Sequence, residues 1–165
     1  MRAGTERQVL VEELLTTSRA LVGIAIRSIA AAPVEITVAQ HRLLVLLAAH
    51  GPQSVGEIAE HLGVNPSNAS RHGDRLQRLE LVGRSRSAED GRVVQIELTA
   101  AGRRLLDAVA QRRREELTDL AARLSAGDVE AVRASLRLLN LTMHEVSDDE
   151  WAQVPPGAGD ASTRG

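Results

Sequence analysis

Polar and basic side chains are concentrated on the first turns of one short predicted helix, where apolar residues are nearly absent. Hydroxyl, amide and guanidinium groups in such positions can hydrogen-bond base edges and phosphates. Apolar residues return at Leu76 and Leu79, which would hold the C-terminal half of the helix to a core. The pattern therefore predicts a helix that contacts duplex DNA. Its candidate contact residues are Ser67, Asn68, Ser70, Arg71 and Arg75.

Two short helices joined by a tight turn would position these side chains. The first begins with a capping box, Ser54-Val55-Gly56-Glu57, in which the hydroxyl and the carboxylate can each accept from an otherwise unpaired backbone amide. It should end at Gly63. The second begins at Asn65-Pro66, an N-cap side chain followed by a ring that is tolerated at the first helical position. This order is typical of a helix-turn-helix.

A β-hairpin is predicted after the second helix. The segments 81–86 and 93–98 flank a polar turn that contains Asp90-Gly91, a favoured hairpin dipeptide. We expect this hairpin to form a wing beside the helix-turn-helix. The candidate DNA-binding residues of the wing are Arg84, Arg86, Asp90 and Arg92.

The recognition helix and the wing resemble those of the multiple-antibiotic-resistance regulator (MarR) family. The run 70–76 is similar to the recognition helix of that family. The wing-to-helix signature is matched by Asp90-Gly91-Arg92, Val94, Ile96, Leu98-Thr99 and Gly102. Two positions depart from the pattern, since His72 and Gly73 stand where branched apolar residues are usual. A mid-helix Gly costs roughly 1 kcal/mol relative to Ala.

The resemblance implies roles for several side chains. Arg92 would reach the minor groove while Asp90 orients it; alternatively, the two pair within the turn and only stabilise it. The family often carries an effector pocket between the first helix, the second helix and the long helix after the wing. There Arg27, His41 and Arg42 could bind an anionic or aromatic ligand. They could equally form ion pairs within or between subunits, and both interpretations stay open.

Amphipathic helices at the two ends of the chain predict a homodimer. Apolar residues between Leu10 and Ile29 form a stripe wider than one partner helix needs. From Val129 to Val146 they recur in steps of 3, 4, 3, 4 and 3, which is a heptad seam. The fold class is therefore mainly α, a winged helix-turn-helix with a two-stranded β-wing and N- and C-terminal dimerisation helices. We divide the chain into an N-terminal dimerisation helix (1–36), the winged helix-turn-helix region (37–98), a long helix with a C-terminal dimerisation helix (99–146) and a disordered tail (147–165).

The amino-acid composition excludes cysteine chemistry and indicates where basic charge is concentrated. Without cysteine, the chain has no disulfide, thiolate ligand or thiol redox switch. All 20 basic residues are Arg, which suits bidentate contact with guanine and phosphate. The formal net charge is −2, but 65–92 holds six Arg against four acidic residues, hence +2 there and −4 elsewhere. No signal peptide or membrane span is predicted, so we expect a cytoplasmic protein.

Enzymatic and metal chemistry are not expected. Ser70, His72 and Asp74 resemble a triad in print, but His72 would project about 200° around a helix from Ser70 and could not bridge its partners. Glu57 with His61 would supply two ligands where a structural zinc site needs four. No Gly-rich phosphate loop occurs. We predict no catalytic residues, no metal site and no cofactor.

The predicted function is sequence-specific binding of double-stranded DNA by a transcriptional regulator. We expect a repressor that binds a pseudo-palindromic operator and is released by a small ligand. Three alternatives stay open: a metal-responsive regulator, a winged-helix dimer that contacts proteins instead of DNA, and a regulator without a ligand that is controlled only by its abundance. Only a phosphate-contacting protein should show a steep salt dependence of duplex binding.

Overall fold

The computed structural model describes residues 2–87 and 92–143, and this part of the chain contains six helices and one three-stranded sheet. The helices are α1 (Arg2–Ala30), α2 (Val38–His50), α3 (Val55–Leu62), α4 (Pro66–Arg78), α5 (Ala100–Ala121) and α6 (Ala126–Met143). The strands are β1 (Gln53–Ser54), β2 (Val82–Arg86) and β3 (Val94–Leu98). The prediction of a mainly α winged helix-turn-helix is confirmed. Asp90, Gly91, Val146 and the tail 147–165 lie outside the described residues.

The helix starts follow the local chemistry of their first residues. At α3, the Ser54 hydroxyl accepts from the Glu57 amide while the Glu57 carboxylate accepts from the Ser54 amide at 2.7 Å. A second capping box, formed by Thr37 and Gln40, begins α2. Each box satisfies two amides that would otherwise lack a helical partner. Gly63, with φ +63°, ends α3 in the left-handed conformation that favours glycine.

The sheet has the antiparallel order β1-β3-β2. In the wing, Val82 pairs with Leu98 and Arg86 with Val94, which is the predicted hairpin. The additional strand β1 pairs Gln53 with Ile96, and the sequence did not predict it. Its two residues directly precede α3, and they are too few to show the alternation by which strands are recognised.

The core lies between α2, the helix-turn-helix, the sheet and α5. Burying each large aliphatic side chain there stabilises the fold by about 1.5–3 kcal/mol. Among the most deeply buried are Leu43, Leu44, Leu47, Ile58, Leu76, Ile96 and Val109. This packing fixes α4 and the wing against the rest of the chain.

The two terminal helices contribute little to this core. Only Ser28 and Ile29, near the end of α1, are buried among its described side chains. No residue of α6 is buried. Both helices therefore expose large apolar side chains along much of their length. Within the described residues, no helix is both long enough and apolar enough to cross a membrane.

Candidate nucleic-acid interface

Helix α4 presents one apolar face to the core and one polar face to solvent. Ala69, Gly73 and Leu76 are buried on the inner face. Asn65 caps the helix, its side-chain oxygen accepting from the Asn68 amide at 2.9 Å, and Pro66 occupies the first turn. Because α4 is held along one side only, its opposite side is available to a partner.

The outward face of α4 carries an arginine stripe. At about 100° per residue, Ser67, Arg71, Arg75 and Arg78 project away from Ala69 and Leu76. All four are exposed. Ser70 and Asn68 lie toward the flanks and are half-buried. Sequence reasoning missed Arg78, although its i, i+4, i+7 relation to Arg71 and Arg75 is a readable signal.

At Gly73, α4 closely approaches the Ile96 side chain of the sheet. A Cβ added there would lie 2.7 Å from Cδ1 of Ile96, which is 1% exposed. The small residue therefore leaves room for the Ile96 side chain of β3 against the recognition helix. This explains in physical terms the departure from the family pattern at this position.

An ion pair also joins the wing to the recognition helix. The Arg84 guanidinium on β2 donates to the Asp74 carboxylate on α4. Their side chains are 35% and 45% exposed, so the pair is well solvated. Exposed pairs contribute about 0–1 kcal/mol to stability. The main consequence of this pair is that it ties β2 of the wing to α4. Arg84 was predicted to contact DNA, and in this structure its guanidinium is bound to Asp74.

The remaining described wing arginines lie near the tip. Arg86 ends β2 opposite Val94, and Arg92 lies just before β3; both are exposed. The Ser87 amide donates to the Val93 carbonyl at 2.9 Å, which extends the hairpin by one bond. Asp90, the predicted partner of Arg92, lies outside the described residues.

The start of α5 locks the wing to the end of α4. Thr99 caps α5, and its hydroxyl donates to the Glu80 carbonyl at 2.8 Å. A Cβ on Gly102 would lie 2.2 Å from the Leu81 carbonyl oxygen, so only glycine fits. This contact supplies the physical reason for the Leu98-Thr99-x-x-Gly102 motif.

The three candidate effector residues have different surroundings. The Arg27 guanidinium donates from Nε and Nη2 to the same Glu116 oxygen on α5, at 3.1 and 2.8 Å. His41 is buried, and desolvation, with a smaller effect of the Arg113 charge, lowers its pKa to about 4. Arg42 is exposed. The structure thus directs Arg27 and His41 toward α5, while Arg42 faces solvent.

Two α5 residues that sequence reasoning did not select complete this region. Glu116 holds Arg27, and half-buried Arg113 donates from Nε to the buried Ser28 hydroxyl at 3.4 Å. In the basic run 112–114, Arg112 and Arg114 are exposed. Arg113, the middle residue of the run, lies toward Ser28 of α1 and His41 of α2. The sequence carries no signal that separates it from its two exposed neighbours.

The histidines do not form a chelating cluster in the described residues. Nδ1 of His61 lies 2.8 Å from the Glu57 backbone carbonyl, so this pair interacts through a backbone oxygen. Over 2–87 and 92–143, no three His, Cys, Asp or Glu side chains are placed to hold a metal ion. His144 lies outside these ranges.

The fold and its arginine-lined helix are those of a DNA-binding winged helix. The sequence profile of the MarR family matches residues 36–94, which include the helix-turn-helix and most of the wing. The chain belongs to the MarR family of transcriptional regulators, as the motif resemblance predicted. Members of this family are regulators and not enzymes.

Individual proteins show how far the similarity extends. The chain is 33% identical over 109 residues to YhbI, an uncharacterized HTH-type transcriptional regulator of Bacillus subtilis, covering 64% of this chain and 71% of that protein. It is 39% identical over 67 residues to MdtR, an HTH-type transcriptional repressor of the same organism, covering 41% and 43%. The crystal structure of RV1404 from Mycobacterium tuberculosis superposes with a TM-score of 0.79 and 33% identity, covering 86% of this chain and 96% of that chain.

Proposed function

We propose that this regulator is a homodimer that inserts α4 of each protomer into the major groove of a pseudo-palindromic operator and represses transcription. The observation that carries the proposal is the arginine stripe on the side of α4 opposite its buried face. Guanidinium groups there can bind guanine edges and phosphates. Arg86 and Arg92 would extend the contact from the wing into the adjacent minor groove. Such a protein acts on the chromosome, so we place it in the cytoplasm.

Helix α6, in which no residue is buried, supports the homodimer. Its heptad stripe includes Val129, Val132, Leu136 and Met143, which are 41–59% exposed. Leu138 and Leu141, at 67% and 75%, lie on nearly the opposite face. A helix with two apolar faces needs cover on both sides, which exceeds what one neighbouring helix supplies.

The stripe on α1 provides matching cover. Eight large apolar side chains between Val9 and Ile26 are 38–56% exposed. We propose that the α1 and α6 helices of two copies bury these surfaces together, so that 1–36 and 99–146 form the dimerisation region. The spacing of the two recognition helices would then be set by this region. It must be close to one DNA turn, roughly 34–36 Å, for both to enter successive major grooves.

Repression is favoured by the partial match to MdtR, which is itself a repressor. A ligand could relieve repression at Arg27, where an anionic group would compete with Glu116 for a guanidinium that is 61% exposed. His41 and Arg42 lie on α2, which packs against both α1 and α5. Such a ligand must bind two spacings of the recognition helices with different affinity, since otherwise it shifts nothing. If so, Arg27→Ala and His41→Ala should weaken release by the ligand while DNA affinity stays nearly constant; equal release in both variants would exclude these residues.

A footprint on the DNA upstream of the protein's own gene tests the DNA-binding part directly. We expect two protected half-sites about one helical turn apart. Protection that persists when the site is scrambled would contradict sequence-specific reading. Failure to bind any duplex would favour the use of the wing for protein contacts, and metal analysis of the purified protein would reveal a metal-responsive regulator. DNA binding that no small molecule alters would favour control by abundance alone.

A further inference from the structure

A side chain on the outward face of α4 is hydrogen-bonded to a side chain on its flank. Nη2 of Arg71 donates a hydrogen bond to Oδ1 of Asn68. The residues are three positions apart, a spacing at which side chains on a helix are neighbours. The sequence predicts both residues to contact DNA. In the free protein, the Arg71 guanidinium is therefore held against Asn68.

Asn68 is the more fixed member of the pair. The backbone amide of Asn68 donates to the N-cap residue Asn65, to its side-chain oxygen at 2.9 Å and to its backbone carbonyl at 3.0 Å. The Asn68 side chain is half-buried, whereas that of Arg71 is exposed. A long arginine side chain in solvent samples many rotamers, and a fixed acceptor at one turn's distance restricts them.

The contact limits what Asn68 can do on DNA. An asparagine that reads adenine uses both ends of its carboxamide, with Oδ1 accepting from N6 and Nδ2 donating to N7. Here one lone pair of Oδ1 already accepts from Arg71, so an adenine would have to use the other lone pair and fit beside the guanidinium. Arg71 keeps four of its five N–H donors, which is enough for the paired bonds to O6 and N7 of a guanine.

We propose that Asn68 is a positioning residue that holds the Arg71 guanidinium for reading a guanine in the major groove. The inference rests on the proposed function, in which α4 enters that groove. It assigns one base of each half-site, a guanine at the pair facing Arg71. Holding the Arg71 guanidinium in place before binding reduces the side-chain entropy that is lost when the complex forms.

The experiment uses the full-length protein and a pool of randomised duplexes. After the preferred half-site has been selected, Kd is measured for duplexes in which each base pair is replaced in turn. The proteins compared are the wild type, Arg71→Ala, Asn68→Ala and the double variant. Thermal unfolding followed by circular dichroism establishes that α4 and the fold persist in each.

Arg71→Ala should remove about 5- to 150-fold of discrimination at a single G·C pair, the fold-change that corresponds to a bidentate base contact. Asn68→Ala should weaken discrimination at that same pair by roughly threefold or more, and should add nothing once Arg71 is gone. Asn68→Asp keeps an oxygen that accepts from Arg71. It should retain the guanine preference while all duplexes bind more weakly, because its charge repels phosphates.

The position of the effect decides the outcome. If Asn68→Ala relaxes preference at an A·T pair different from the pair affected by Arg71→Ala, Asn68 reads its own base and the inference is overturned. Additive losses in the double variant would overturn it too. In both cases the wild type still selects a sequence, so the proposed function stands. A wild-type protein that enriches no sequence would overturn both.

Discussion

Gly73 of the recognition helix and Ile96 of the wing strand are packed so closely that a single added methyl group would bring carbon atoms to 2.7 Å. The contact joins the two elements that would hold DNA. It is also the place where a residue that weakens a helix by roughly 1 kcal/mol serves tertiary packing instead.

Gly73→Ala should therefore destabilise the protein despite the better helix propensity of Ala. Overpacking in a core costs about 1–3 kcal/mol, and Ile96 is 1% exposed, so its Cδ1 has little free space to rotate into. In an Ile96→Val background, which removes Cδ1, the same substitution should become neutral or stabilising by up to about 1 kcal/mol. Urea unfolding of the four proteins measures this coupling. Equal effects of Gly73→Ala in both backgrounds would show that the close approach carries no energy.

This pair also illustrates what the sequence could and could not predict. The caps at Ser54 and Asn65 could be predicted because each depends only on residues within one helical turn of the capping residue. The close approach at Gly73 was not, since it depends on where tertiary packing places the Ile96 side chain. The ion pair of Arg84 with Asp74 likewise depends on tertiary packing, so the sequence alone indicated only a basic wing residue.

Burial of His41 predicts a specific pH dependence of stability. Its pKa in the folded protein is lowered to about 4 from 6.5, so the unfolded chain takes up the proton first. The free energy of unfolding should fall as the pH drops from 6.5 toward 4, and this contribution should be fully present above pH 6.5. Its total, from 6.5 to about 4 at 1.36 kcal/mol per pKa unit, is on the order of 3 kcal/mol.

His41→Leu provides the comparison, because it removes the titrating group and fills the buried position with an apolar side chain. Denaturant unfolding between pH 5 and 7 should give a shallower pH slope for the variant than for the wild type. The other histidines and the carboxylates are present in both proteins, so their contributions cancel in the difference. Identical slopes would mean that folding does not lower the pKa of His41.

The apolar seam of α6 predicts that assembly and DNA binding fail together. Leu136→Asp puts a charge on the heptad stripe and should convert the dimer to a monomer in sedimentation at micromolar concentration. Operator affinity should fall with it, since one recognition helix alone contacts one half-site. Ser135→Asp adds the same charge one residue away, between the two apolar stripes, and should leave a dimer. A folded Leu136→Asp monomer that binds the operator as tightly as the wild type would exclude this interface.

Substitution of Arg92 distinguishes the contribution of the wing to DNA binding from that of α4. We expect Arg92→Ala to weaken matched and scrambled duplexes alike, because a minor-groove arginine responds to phosphates and groove width more than to base identity. With two wings per dimer, the slope of log K against log salt should decrease in magnitude by about two units. If the residue only stabilises the turn, the melting temperature will fall while affinity and slope remain those of the wild type.

The arginine stripe of α4 is tested most directly by the salt dependence of operator binding for wild type, Arg78→Ala and Arg104→Ala. Arg78 lies on the outward face of α4, whereas Arg104 is an exposed arginine of α5 that is outside the stripe. We predict a steep slope for the wild type, a loss of about two units for Arg78→Ala in the dimer, and no change for Arg104→Ala. A wild-type affinity that does not vary with salt, or equal slopes in all three proteins, would contradict DNA binding through this face.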